Sequence, residues 1–286
     1  EKEMGNNALK QFGIETKRIS ASEYYILRDE IVERLKTKFE KVQDIVAYKN
    51  KQSFGDIDVL VSKPKEAFDT PAILKELFNY SVIRKNKPVF SFDYKDFQVD
   101  VIITDDNLFD ISKTYYSFND LGNFMGRIAN KMGAKYGFDG LTMKVYSEDK
   151  SKKIGFIQLS INPAQIFDFL GFDYERYQKG FDELEDIFKF VISGKYFNRE
   201  IFAYEALDHQ NRTRNRKRSS YQKFLKFLEE TDAKSKYTFN IDDNQKRIVD
   251  YFKEVPVELA IEEFHALEEY NSTIRSKFNG EIVMEI

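Results

Sequence analysis

The feature that most constrains this chain is residues 53–61, where two aspartates alternate with apolar residues. Side chains on a β-strand point alternately to opposite faces. Asp56 and Asp58 therefore share one face of a predicted strand, and the apolar residues between and after them share the other. Two neighbouring carboxylates repel each other, and a divalent cation with oxygen ligands is the usual remedy. The pattern predicts a strand that is apolar behind and acidic in front.

Asp100 is the second acidic feature, because it is the only acid in the apolar run from Phe97 to Ile103. A carboxylate in such a strand needs a partner. Gly55 precedes the aspartate pair and permits close approach of a ligand to the backbone, and a basic, polar run lies just upstream at residues 49–53. A solvated strand face is the ordinary alternative for an Asp-x-Asp pair. The three features together favour a metal site, with Mg²⁺ or Mn²⁺ as the expected cofactor.

The composition excludes several classes of site. The chain has no cysteine, which excludes disulfides, thiolate zinc sites and cysteine nucleophiles. Its two histidines, His209 and His265, have no partners at metal-ligand spacing. No apolar run approaches the roughly 20 residues of a membrane helix, and the acidic start is unlike a signal peptide, so we expect a cytoplasmic protein without membrane contact. The net charge of -3 predicts that any nucleic-acid binding comes from a local patch.

The order of the predicted elements is typical of an α+β fold. Ser20 opens a capping box with Glu23 at the start of a first helix, and Thr70-Pro71 starts a second helix. Strand patterns cover residues 44–48, 53–61, 81–103 and, as a hairpin, 141–161. These elements predict a mixed sheet with helices on one side and the three carboxylates on the other.

The last third of the chain has a different pattern. Beyond Tyr174 the strand signals fade, and helical periodicity continues to Phe278. A chain of 286 residues is long enough for two compact domains. We therefore predict an α+β domain over residues 1–176 and an α-helical, nucleic-acid-binding domain over residues 177–286.

A one-sided basic cluster lies in the helical part, where no acid occurs between His209 and Leu228. Its arginines alternate with Asn, Thr and Ser, which also hydrogen-bond phosphates, and Tyr221 and Phe224 are close enough in sequence to stack on bases. A solvated helix face or a linker is the alternative for such a run. We predict contact with a nucleic-acid backbone through Arg212, Arg214, Arg216, Lys217, Arg218 and Lys223.

Part of the chain resembles a known family. The run GDIDVLVSKP at residues 55–64, followed by the lone Asp100, is similar to the palm of the polymerase β nucleotidyltransferase superfamily, and most similar to that of the family X DNA polymerases. The likeness continues at Tyr115-Tyr116, where the family keeps an aromatic pair, at Arg127, and at residues 166–174, which resemble the end of the thumb. It covers roughly residues 18 to 176.

The resemblance implies that residues 1–176 form a palm and thumb. It implies transfer of a nucleoside monophosphate from an NTP or dNTP to the 3′-OH of a nucleic acid, with release of pyrophosphate. Asp56, Asp58 and Asp100 would be the catalytic residues and the ligands of two metal ions. The acceptor would be DNA or RNA, and tRNA is a candidate because CCA-adding tRNA nucleotidyltransferases also carry a carboxy-terminal helical domain. The residues assigned to nucleotide binding are Lys49, Lys51, Ser53, Gly55, Tyr115, Tyr116, Asn119 and Arg127.

The sequence departs from the family at two places. Residues 46–50 read VAYKN where the family has a Gly-Ser or Gly-Gly that holds the triphosphate, and Phe118-Asn119 stands where the family has a Gly-Ser turn. Lys49, Lys51 and Ser53 are predicted to replace the missing phosphate contacts. Two other functions stay open: transfer to a hydroxyl of a protein or small molecule, and nucleic-acid binding by a palm that has lost its activity.

Overall fold

A computed structural model of the chain describes residues 8–64 and 69–277. The outer ends of the two predicted domains, residues 1–7 and 278–286, lie outside the described residues. The second range includes Phe278, the last residue of the final predicted helix. Within the described ranges, none of the helices combines the length and the apolar character that crossing a membrane requires.

The β-strands form three sheets. Their bounds in the described residues are β1 (Ile19–Ser20), β2 (Val42–Asp44), β3 (Ser53–Phe54), β4 (Asp56–Val61), β5 (Ile83–Asn86), β6 (Val89–Tyr94), β7 (Phe97–Ile103), β8 (Ala134–Gly137), β9 (Gly140–Tyr146) and β10 (Lys153–Ser160). The short pair β1 and β3 is antiparallel. The predicted hairpin over residues 141–161 is confirmed as β9 and β10, whereas the strand predicted at residues 44–48 lies earlier, as β2.

Side chains at the amino-terminal ends of several α-helices cap them, as the sequence predicted for Ser20. The Ser20 hydroxyl and the Glu23 side chain form the expected capping box, and the Asn162 side chain accepts a hydrogen bond from the Gln165 N–H at 3.2 Å. The helices are α1 (Ala21–Lys36), α2 (Thr70–Phe78), α3 (Phe109–Tyr116), α4 (Leu121–Lys131), α5 (Pro163–Phe169), α6 (Tyr174–Gln178), α7 (Leu184–Ser193), α8 (His209–Asn215), α9 (Ser219–Glu230), α10 (Asn244–Tyr251) and α11 (Val257–Lys277).

The largest sheet is mixed, and the fold class is α+β as predicted. Its strand order is β2-β4-β7-β6-β5, in which β4 and β7 are parallel and the other neighbours are antiparallel. The apolar face of β4, including Val59 and Val61, packs with Val99 and Val101 of β7 against helices α1 and α2. Burial of each such side chain contributes roughly 1.5 to 3 kcal/mol, which fixes the direction of the opposite, acidic face.

The prediction that helices lie on only one side of this sheet is wrong. Leu60 and Ile102 follow the carboxylates on the acidic face, and both are buried beneath Phe109 of α3, with Tyr116 packed against them. Burial of these apolar side chains away from water is favourable, and α3 provides it by packing on the far end of the acidic face. Only the end that carries the carboxylates stays open.

A second hydrophobic core contains buried residues from Ile111 to Val257. It includes the three-stranded sheet β10-β9-β8 and side chains from helices on both sides of residue 176, such as Phe167 and Phe188. The boundary at residue 176 stays a prediction, but the packing of buried side chains is continuous there. The change from one core to the other occurs between Val101 and Ile111.

Two glycines of α4 provide a matched test of how tightly this helix packs against the end of α3. A Cβ atom on Gly122 would lie 2.3 Å from the Tyr115 carbonyl oxygen, whereas one on Gly126 would lie 3.8 Å from its nearest neighbour, the Tyr136 carbonyl oxygen. We expect Gly122→Ala to lower the free energy of unfolding by about 1 to 3 kcal/mol. Gly126→Ala should raise it by about 0.5 to 1 kcal/mol. Urea denaturation measures both, and equal effects would contradict the packing.

Candidate active site

The pairing of β4 with β7 brings the three predicted carboxylates together. Asp58 and Asp100 are directly opposite each other in the parallel register, and Asp56 lies two residues before Asp58, opposite Gln98. Neighbouring strands are about 4.8 Å apart, and opposed residues point to the same face. All three carboxylates therefore project from one small area of the sheet.

The carboxylate of Asp58 lies in an environment that disfavours its negative charge. Burial raises its pKa well above the usual range, and the negative charges of Asp56 and Asp100 raise it further. The positive charge of Lys51 acts in the opposite direction. The folded chain thus holds acidic groups close together although their mutual repulsion favours protonation.

Hydrogen bonds lower the pKa of Asp100, whereas the pKa of Asp58 is set by burial and by neighbouring charges. Burial, and more weakly the charge of Asp56, raise the pKa of Asp100 to about 6. A hydrogen bond from Ser91, a hydrogen bond from Gln98 and the charge of Arg84 lower it. The Gln98 amide nitrogen donates to both Asp100 oxygens, at 3.1 and 3.0 Å, so the orientation of this carboxylate is fixed.

A divalent cation suits this donor set chemically. Within the described ranges, no three Asp, Glu, His or Cys side chains are already arranged around a common point to hold a metal ion. The raised pKa values of Asp58 and Asp100 nevertheless indicate negative charge that is not fully compensated. Hard oxygen donors are the ligands that Mg²⁺ and Mn²⁺ take, and a bound cation would favour the ionised carboxylates.

A cavity of about 300 Å³ opens beside Asp56 and Asp58. Four of the predicted nucleotide-binding residues line it: Lys51, Gly55, Tyr116 and Asn119. Asp100 is not in its lining and lies on the other side of Asp58, toward β6. We call this cavity the cleft, and the acidic area of the sheet is its floor.

Four other predicted nucleotide-binding residues do not line the cleft. The Lys49 ammonium forms an ion pair with Asp182 at 2.7 Å, and the Ser53 hydroxyl accepts a hydrogen bond from Arg18 at 3.2 Å. Tyr115 packs edge-to-face on Tyr136 at 5.3 Å between ring centres. Sequence spacing does not reveal these partners, and the three side chains lie outside the cleft lining.

Arg127 is the fourth residue outside the cleft lining. Its guanidinium is half-buried, and this burial lowers its pKa. The buried Nε atom has no hydrogen-bond partner in the described parts of the chain. The pKa of Arg127 also responds to the charges of Asp208 and Arg214, which indicates that its guanidinium lies near α8.

The predicted basic cluster is divided by the structure. Arg218 and Lys223 line the cleft opposite the carboxylates. Arg212 donates to the carbonyl oxygens of Tyr204 and Leu207, both at 3.0 Å, and so holds the start of α8 in place. Four members of the cluster are exposed: Arg214, Arg216, Lys217 and, at the cleft, Lys223.

The prediction that Tyr221 and Phe224 stack on bases is wrong. Both side chains are completely buried, and the Tyr221 hydroxyl donates to the Phe202 carbonyl oxygen at 2.6 Å. They lie three residues apart on α9, a spacing that puts them on the same helix face. That face packs in the second core against Phe124 of α4.

Several cleft residues were missed by the sequence analysis, among them Tyr24, Asp120, Ser219 and Ser220. Arg218 and the Ser220 hydroxyl both contact the carboxylate of Asp120, across about a hundred residues of sequence, and Ser219 lies between them at the start of α9. Tyr24 of α1 also lines the cleft and stacks on Phe54 with ring centres 3.6 Å apart. The alternation of basic and hydroxyl residues was the only local signal that the start of α9 lines the cleft.

Phe118 and Asn119, where the family has its Gly-Ser turn, adopt the left-handed conformation that glycine favours, with φ of 61° and 60°. Such a conformation is strained for a bulky residue and persists only when the surroundings enforce it. The buried Phe118 ring packs edge-to-face on Tyr177 and Phe181, and its N–H donates to the Val46 carbonyl oxygen at 2.6 Å. The turn therefore has the geometry that its sequence did not suggest, and it presents Asn119 to the cleft.

Comparison with known proteins adds no assignment to this geometry. No protein-family model matches the sequence, and no curated protein matches it significantly.

The raised pKa of Asp100 predicts how stability depends on pH in the metal-free protein. Its pKa is about 6 in the folded state against an ordinary value of 3.8, so the folded state binds the proton more tightly. The free energy of unfolding should therefore fall as the pH rises from about 4 to about 6. We expect Asp100→Asn to weaken this fall in chemical denaturation with EDTA. Asp105→Asn, which removes an exposed acid outside the site, should leave the pH dependence unchanged, and identical curves for all three proteins would contradict the assignment.

Proposed function

We propose that the chain is a metal-dependent nucleotidyltransferase that transfers a nucleoside monophosphate from an NTP or dNTP to a hydroxyl group, with a nucleic-acid 3′-OH as the acceptor. The observation that carries the proposal is the clustering of Asp56, Asp58 and Asp100 on one face of a mixed sheet, where Asp56 and Asp58 share the cleft with the basic wall, the α9 segment that carries Arg218 and Lys223. The likeness of residues 18–176 to the polymerase β superfamily supports it. A palm and a carboxy-terminal helical domain remain part of this proposal.

Asp56 and Asp58 would hold the divalent cations, and Asp100 would share one of them. When bound, Mg²⁺ or Mn²⁺ supplies positive charge for the triphosphate and makes the attacking hydroxyl more acidic. The acceptor oxygen forms a bond to the α-phosphorus, and the bond from that phosphorus to the bridging oxygen breaks, so pyrophosphate leaves. Asp100, which lies opposite Asp58 in the strand register, would receive the hydroxyl proton.

The basic wall supplies contacts for the triphosphate. The amino-terminal end of α9 carries a partial positive charge, and the first residues of this 12-residue helix, Ser219 and Ser220, line the cleft together with Lys223. Arg218 precedes them and is held by Asp120. With Lys51 from the sheet side, these residues replace the Gly-Ser of the family, a role first predicted for Lys49, Lys51 and Ser53.

Tyr116 and Asn119 line the remaining side of the cleft and suit contact with the sugar or base. Burial raises the pKa of the Tyr116 hydroxyl, and the charge of Asp58 raises it further, so this tyrosine is close to the carboxylates and stays neutral. A neutral hydroxyl next to the acidic floor can donate a hydrogen bond to a sugar oxygen.

A protein or small-molecule acceptor is the second candidate, because one observation favours it. Two arginines of the basic cluster have intramolecular partners: Arg212 binds carbonyl oxygens, and Arg218 binds Asp120. The exposed positive surface near α8 is therefore smaller than the sequence suggests. The nucleotide chemistry would be the same for either acceptor.

The proposed activity is tested by incubating the protein with each labelled NTP and dNTP and with single-stranded, primed and tRNA acceptors. We expect one class of acceptor to gain label. Asp100→Ala should reduce the transfer rate by roughly 10² to 10⁴-fold while nucleotide binding is retained, because the residue acts on the hydroxyl side. Asp105→Ala is the control. A rate within a few-fold of wild type for Asp100→Ala would rule out the three-carboxylate mechanism.

Metal binding has its own test, which does not depend on knowing the acceptor. Mg²⁺ or Mn²⁺ should raise the melting temperature of the wild type, because a ligand of the folded state stabilises it. The double variant Asp56→Asn, Asp58→Asn should lose this shift, while its melting temperature in EDTA is at least that of the wild type because a repulsion has been removed. A shift of the same size in the double variant would move the metal to another place.

A further inference from the structure

Arg84 extends the row of polar residues on the acidic face to the edge of the sheet. In the strand register, Asp58 lies opposite Asp100, Asp100 opposite Ser91, and Ser91 opposite Arg84. Residues that are opposite each other in neighbouring strands point to the same face. Arg84 therefore projects from edge strand β5 on the same side of the sheet as the carboxylates.

The surroundings of Arg84 do not give it a structural role. In the parts of the chain that the structure describes, its guanidinium has no hydrogen bond and no ion pair, although it is half-buried. Two strand spacings, about 10 Å, separate its backbone from that of Asp100. Its charge reaches Asp100 only through space. An arginine that served only to hold the sheet together would have an acceptor within the protein.

The other charged groups on this face do not neutralise Arg84. Asp93 of β6 projects from the same face, and its carboxylate accepts a hydrogen bond from the Ser81 hydroxyl at 2.9 Å. Asp56 and Asp58 lie farther away on β4, next to Lys51 and the cleft. Between Asp100 and Arg84 the row on this face carries only the small side chain of Ser91, which is 5% exposed, so a ligand that joins the two would pass above Ser91 and not beside it.

We propose that Arg84 binds the phosphodiester that immediately precedes the attacking hydroxyl of a nucleic-acid acceptor. The inference rests on the proposed function, in which the cleft side of the floor takes the triphosphate and Asp100 takes the proton. The acceptor must then approach from the side of Asp100 that is remote from the cleft, which is the side of Ser91 and Arg84. The distance of about 10 Å between the backbones of Arg84 and Asp100 can be spanned by the Arg84 side chain together with one nucleotide.

The guanidinium suits this role because its planar fork of donors matches phosphate oxygens. A protein hydroxyl or a small-molecule hydroxyl has no phosphate at this distance and would leave Arg84 without a partner. The position of Arg84 therefore favours a polynucleotide acceptor over the second candidate. Because a phosphodiester occurs in DNA and in RNA, the contact does not distinguish them, and the test uses both.

A double-mutant cycle between Arg84 and one phosphate tests the proposal without requiring turnover. The probes are fluorescent single-stranded DNA and RNA oligonucleotides whose 3′-terminal linkage is either an ordinary phosphodiester or a neutral methylphosphonate. Binding is measured by anisotropy in Mg²⁺ without NTP. For the wild type, neutralising the linkage should weaken binding roughly tenfold. For Arg84→Gln, both probes should bind equally, at the weaker affinity.

Lys85→Gln is the matched control, because it removes a positive charge from the next residue of β5, on the opposite face of the sheet. It should keep the tenfold preference for the charged linkage. Arg84→Lys keeps the charge but loses the planar guanidinium, so it should show a reduced preference for the charged linkage. If Arg84→Gln does not melt cooperatively, Arg84→Lys is compared with the wild type instead. In turnover, Arg84→Gln should raise the KM for the acceptor and leave the KM for the nucleotide unchanged.

An equal loss on neutralising the linkage in wild type and Arg84→Gln would overturn the proposal, and so would an absence of oligonucleotide binding by the wild type. These results differ from a failure of the proposed function. A wild type that transfers label to a protein or small molecule but binds no oligonucleotide retains the nucleotidyltransferase activity and loses only the Arg84 assignment. A wild type that transfers no nucleotide to any acceptor removes the proposed function itself.

Discussion

The parallel pairing of β4 with β7 is the constraint on which the candidate site depends. The register places Asp58 opposite Asp100, and the hydrophobic packing behind the sheet holds that register. A slip by one residue would turn the carboxylates into the core beneath α1 and α2 and expose the valines, so the register is strongly specified. The burial of Val59, Val61, Val99 and Val101 thus provides the free energy that holds repelling acids side by side. The raised pKa values of Asp58 and Asp100 are the electrostatic consequence.

This arrangement gives the acidic floor two sides with different surroundings. On one side the cleft is closed by α9 and by the strained turn at Phe118, and it contains Arg218 and Lys223. On the other side the row of polar residues continues through Ser91 to the half-buried Arg84 at the edge of the sheet. A transfer reaction needs two substrates that meet at the catalytic groups without occupying the same space. The asymmetry of the floor satisfies this requirement.

The sequence predicted the parts of the structure that depend on local patterns. The alternation around Asp56 and Asp58, the single acid in the Asp100 strand and the capping box at Ser20 each follow from a short-range rule, and the structure has all three. The predictions for Lys49, Ser53 and Arg212 had no such basis, because the partners of these side chains were unknown. Lys49 pairs with Asp182, more than a hundred residues away, and sequence gives no sign of this contact. Tyr221 and Phe224 had a usable signal in their helical spacing, which is typical of a buried face.

Contacts between distant segments also explain why the sequence did not indicate that α9 lines the cleft. A sheet face that carries three carboxylates repels an anion, so the groups that attract a triphosphate are more effective on the opposite wall, where the cavity lies between the two charges. That wall is α9, some 160 residues beyond the aspartates in the sequence. Asp120 holds it in place through Arg218 and Ser220, and Asp120 follows directly on Asn119 at the strained turn. The strained turn is therefore connected, through Asp120, to the helix that brings Arg218 and Lys223 to the cleft, where Lys51 also lies. In the proposed function, this connection would let the helical part of the chain hold the triphosphate in the absence of a Gly-Ser motif.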